Sequence, residues 1–61
     1  MNNLNKTELE YLRHVINMQD VSYEKYNDYA TSSVDPQIKQ LFTKAAQEAL
    51  NVKQKLMSFL V

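Results

Sequence analysis

From Asp35 to Leu60, apolar residues return at Ile38, Phe42, Ala45, Ala49, Val52, Leu56 and Phe59. The steps alternate between four and three, the period of one helix face packed on a neighbour. A second row, Leu41, Ala46, Leu50, Met57 and Leu60, runs beside it. Asp35-Pro36 predicts where this helix begins. An aspartate there accepts a hydrogen bond from a free N–H of the first turn. Proline fits the first helical position, where no intrahelical donor is needed. An earlier helix is predicted from about Lys6 to about Ala30, and the later one from about Pro36 to about Leu60. The main stripe of the first is Leu9, Leu12, Ile16, Gln19, Tyr23, Tyr26 and Ala30. Tyr11, Val15, Met18 and Tyr29 flank it, and Val21 lies off both rows.

Asn5 with Glu8 forms a reciprocal capping pair, and Leu4 with Leu9 supplies the apolar clasp around it. Thr7 with Glu10 is a competing start two residues later. Met1 to Asn3 reads as a frayed end. Thr31 to Val34 reads as the break, because hydroxyl side chains compete for backbone groups and the residue before proline leaves the α region. No glycine is present to close the first helix in a left-handed conformation.

So short a connection predicts adjacent antiparallel helices. Tyr26 and Tyr29 then face the Ile38 to Phe42 level, and Leu9 and Leu12 the Leu56 to Leu60 level. Ala45, Ala46 and Ala49 allow close approach opposite bulkier side chains. The expected fold is all-α: a single helical hairpin over residues 1–61. Both helices carry more apolar surface than one seam can cover. Two hairpins dimerising into a four-helix bundle would cover it, as would a foreign helical partner. The interface residues this predicts are Tyr11, Val15, Met18, Tyr29, Leu41, Met57 and Leu60.

Composition narrows the function classes. The chain has 61 residues and no cysteine, which excludes disulfides and thiolate chemistry and favours an intracellular, cytoplasmic setting. No basic leader followed by an apolar stretch marks a signal peptide, and no window is apolar enough to span a bilayer. Seven basic residues balance seven acidic ones, without the basic excess that a nucleic-acid partner calls for. The mixed polar face of the second helix argues against a membrane-surface role. The first helix carries three basic and five acidic residues, a net of minus two. The second, with Asp35, carries four basic and two acidic, a net of plus two. The helices therefore attract.

Candidate chemistry is sparse. A general base needs a nucleophile and an orienting group, and His14 has neither in a convincing context. Tyr23 and Tyr26 are assigned to packing, Tyr11 and Tyr29 to a partner surface. Gln19, Glu48 and Asn51 are polar core candidates that could fix register. The reading is non-catalytic, with no cofactor and no metal.

Leu4-Asn5-Lys6-Thr7-Glu8, a tyrosine near Ser22-Tyr23, and above all Asp35-Pro36-Gln37-Ile38-Lys39-Gln40-Leu41-Phe42 resemble the bacterial spore coat protein F family, of the ferritin-like helical class. The resemblance implies a four-helix bundle and a structural role in the spore coat or sporulation, with a spore coat protein as a further partner. It also raises a ferritin-like metal-binding alternative, which needs Glu-x-x-His. Here Glu48-Ala49-Leu50-Asn51 ends in Asn, a poor ligand beside imidazole. A third reading is a small regulator that binds a helical partner through its open apolar rows.

Overall fold

The computed structural model describes residues 4–60, and the fraying expected of Met1 to Asn3 lies outside them. Helix α1 spans Lys6–Ser32 and helix α2 spans Pro36–Met57, followed by a short 3-10 turn, Ser58–Leu60. The two helices pack antiparallel as a hairpin 46 Å long and 15 Å by 11 Å in section. No strand occurs among the described residues.

The helix starts follow from their caps. Asn5 Oδ1 accepts from the Glu8 N–H at 2.7 Å, and Glu8 Oε1 accepts from the Asn5 N–H at 3.2 Å. Two of the free donors of the first turn are thereby satisfied. Asp35 Oδ1 accepts from the N–H groups of Gln37 and Ile38 at 2.7 and 3.2 Å, with Pro36 next to it in the first turn.

The end of α1 differs from expectation. The helix continues through Thr31 and Ser32, two residues past Ala30. The hydroxyls expected to break it bond back onto it instead. Thr31 Oγ1 donates to the Asn27 carbonyl at 3.0 Å, and Ser33 Oγ to the Tyr29 carbonyl at 2.6 Å. The missing glycine is compensated from two directions. Ser33, in an extended conformation, donates its N–H to the Ala30 carbonyl. Lys39 reaches across from α2 and donates its ammonium to that same carbonyl at 2.7 Å. No residue among those described needs a positive φ. At the other end, α2 stops at Met57 rather than Leu60. Ser58 Oγ donates to the Lys55 carbonyl, and the chain tightens into the 3-10 turn.

The axial register is the expected one. The Phe42 ring stacks on Tyr26 with centroids 6.3 Å apart and meets Tyr29 edge-on at 5.3 Å. Leu12 lies beside Leu56, and Leu9 beside Leu60, along shared grooves.

The rotation of α2 about its own axis is not the expected one. Every member of the α1 main stripe is buried or half-buried. On α2, however, Ile38, Val52 and Phe59 are exposed, although their row was expected to form the seam. The observed seam runs through Phe42, Ala46, Ala49, Lys53 and Leu56. Ala46, 2% exposed, and Ala49 are its most buried members. Small side chains let the backbones approach, and Lys39 and Lys53 flank the alanines in the same helical phase. Both lysines reach α1: Lys39 at the Ala30 carbonyl and Lys53 at the Asp20 carboxylate, 2.5 Å away. What α1 covers is a stripe of Phe42, Ala46, Ala49 and Leu56 with the stem of Lys53 among them.

Ala30, Ala46 and Ala49 are the only fully buried apolar residues among those described, and no large side chain is enclosed. A 61-residue chain with so small a core has little to offset its conformational entropy. Two substitutions test this seam by urea denaturation at fixed protein concentration. Asp35→Ala should lower stability by about 1 kcal/mol through loss of the cap. Ala46→Leu should lower it by about 1–3 kcal/mol, because the added atoms have no space.

Candidate interaction face

Turning α2 onto its alanines leaves one broad side of the hairpin apolar and uncovered. From α1 this side carries Tyr11, Val15, Met18 and Tyr29. From α2 it carries Ile38, Leu41 and Val52, and from the 3-10 turn Phe59. Helical periodicity puts each set on the same side of the seam, and two grooves join Tyr11 and Val15 to Phe59, and Tyr26 to Val52, along it. One open groove of about 360 Å³ is lined by Leu4, Tyr11, Leu12, Val15, Leu56 and Phe59, with Glu8 at its edge. A second, of about 290 Å³, lies halfway along the same side between Ala45, Ala49 and Val52 of α2 and Tyr26 of α1.

This second groove is polar at its centre. Gln19 and Ser22 of α1 and Glu48 of α2 line it together. Gln19 is half-buried and Glu48 is exposed. Asn51, the third polar core candidate, is exposed on α2, and its Oδ1 accepts from Gln47 Nε2 at 3.1 Å. The structure thus brings Gln19 and Glu48 to one groove and leaves Asn51 out of it. Sequence reasoning read Ser22 as a helix-surface hydroxyl, whereas it is half-buried in this groove.

All seven predicted interface residues are exposed in the single hairpin; Tyr11 is 66% and Leu41 58% accessible. They do not share one side. Tyr11, Val15, Met18, Tyr29 and Leu41 lie on the apolar face. Leu60 lines a groove at the end of the hairpin with Leu4, Leu9, Arg13 and Phe59, and Met57 is in phase with Leu50 on the other side. Ile38, Val52 and Phe59 belong to the face instead, having been assigned to the seam. Lys39 and Lys53, in phase with the alanines, were the signal that could have found them.

The opposite side carries the Asp20–Lys53 pair, whose side chains remain 44% and 27% accessible. A partly exposed pair of this kind contributes about 0–1 kcal/mol. It orients α2 more than it stabilises it.

His14 is exposed. No three His, Asp or Glu side chains among the described residues lie close enough to hold a metal ion. Tyr23 and Tyr26 are half-buried, whereas Tyr11 and Tyr29 are exposed. Among the described residues, no helix is long and apolar enough to cross a membrane. Comparison with known protein families, characterised proteins and solved structures finds no match to this chain.

Proposed function

We propose that this chain is a non-catalytic structural and protein-interaction module that works as a homodimer. Two hairpins bring their apolar faces together as a four-helix bundle. The observation that carries this reading is the set of uncovered apolar side chains on one side, Tyr11, Val15, Ile38 and Leu41 among them, beside a seam whose buried side chains are all small. Monomeric proteins rarely expose contiguous apolar patches beyond a few hundred Å². A face 46 Å by 15 Å offers about 700 Å² in projection per copy. Two copies would bury about 1,400 Å², within the roughly 1,200–2,000 Å² of specific interfaces. A second copy is the occupant that this size and shape fit without any further component.

The biological setting follows from the likeness of Asp35 to Phe42 to spore coat protein F. It points to a structural part in the spore coat or in sporulation, where a coat protein would dock on the assembled bundle.

Sedimentation equilibrium and circular dichroism test the dimer. The chain should sediment at twice its monomer mass at micromolar concentration and lose helicity on dilution. Val15→Glu with Leu41→Glu should shift it to monomer, because neither residue lies in the hairpin seam. A concentration-independent monomer that melts cooperatively would overturn the reading.

A further inference from the structure

We infer that the two hairpins pack with their connections at the same end, so that each α1 lies over the α2 of its partner. This inference rests on the dimer proposed above and specifies its geometry.

Two identical hairpins placed face to face have two simple two-fold arrangements. With the axis along the helices, α1 covers the partner's α2 at the same axial level, and both connections share one end. With the axis across the helices, α1 covers α1, α2 covers α2, and the connections lie at opposite ends.

Charge separates the two. Helix α1 has three basic and five acidic residues, a net of minus two. Asp35 and α2 together have four basic and two acidic, a net of plus two. The same-end arrangement sets opposite charges over each other, and the opposite-end arrangement sets like over like. Such a bias selects orientation even where each pair contributes little.

The polar centre of the face gives a second, independent reason. Gln19, Ser22 and Glu48 share one groove, and Glu48 has no side-chain hydrogen bond or ion pair among the described residues. In the same-end arrangement, Gln19 and Ser22 of one copy stand over the partner's Glu48. The Gln19 amide and the Ser22 hydroxyl are donors, and the carboxylate is an acceptor. Lys25 follows Ser22 on the same flank of α1 and adds a positive charge at that level. The two-fold axis repeats the set, so each copy completes the other's site. In the opposite-end arrangement, Glu48, near the midpoint of Pro36–Met57, faces the partner's Glu48. Two carboxylates brought face to face at one level repel each other and resist burial. The polar centre thus selects one packing and penalises the other.

The test uses spin labels on the full chain, which contains no cysteine of its own. Val34→Cys places the label in the connection, at a residue 93% exposed and outside both helices. Pulsed dipolar spectroscopy then reads the distance between the two connections. Helices packed 8–10 Å apart predict a separation below about 25 Å for the same-end bundle. A separation beyond about 35 Å, approaching the 46 Å length of the hairpin, overturns the inference while leaving the dimer intact. Lys6→Cys, at the other end, should give a short distance as well, and a long one there also overturns it. Absence of dipolar coupling in a chain that sediments as a monomer removes the dimer and this geometry together.

Discussion

Ala46 and Ala49 bring the α2 backbone close against α1, and Lys39 and Lys53 hold it there from either side. This contact decides which part of α2 is inside. Were α2 rotated to bury Ile38, Val52 and Phe59, the larger side chains would hold the helices further apart. The lysines would then turn away from the Ala30 carbonyl and from Asp20. As folded, the seam is narrow and close, and the bulky apolar residues are left beside it. Among the described residues only Ala30, Ala46 and Ala49 are buried, and the larger seam side chains are half-buried. The uncovered face is therefore a consequence of the same contact that forms the hairpin.

Much of this was legible in the residues. The caps at Asn5 and Asp35, the antiparallel pairing, and the meeting of Tyr26, Tyr29 and Phe42 all follow from local rules and helical period. These features depend on neighbours in sequence or on axial register, which a regular repeat fixes. The α1 stripe could be read because its apolar positions form a single best row. On α2 two rows compete, and hydrophobicity alone favours Ile38–Phe59. Backbone proximity and lysine reach decided the matter, and both are tertiary quantities. Met57 and Leu60 were grouped with Leu41 for the same reason. A change of face takes only a modest rotation of the helix, and periodicity is nearly blind to it.

The close of α1 shows a second kind of limit. Thr31, Ser32 and Ser33 are weak helix residues by propensity, yet the hydroxyls of Thr31 and Ser33 bond back to carbonyls four residues earlier. A lysine nine residues on completes the work that a glycine commonly does. Ser22 was read as a surface hydroxyl for a similar reason. On α1 alone it is a surface hydroxyl. Only beside Gln19 and Glu48 does it become part of a polar centre in an otherwise apolar side.

The central claim is that a second protein surface covers the side of the hairpin bearing Val15, Ile38, Leu41 and Val52. Isotope-filtered nuclear Overhauser spectroscopy on a mixture of labelled and unlabelled chain measures this most directly. The account predicts contacts between copies from the methyl groups of these four residues and none from Leu50 on the opposite side. A folded chain at millimolar concentration whose four methyl-bearing residues show contacts only within their own copy would contradict it.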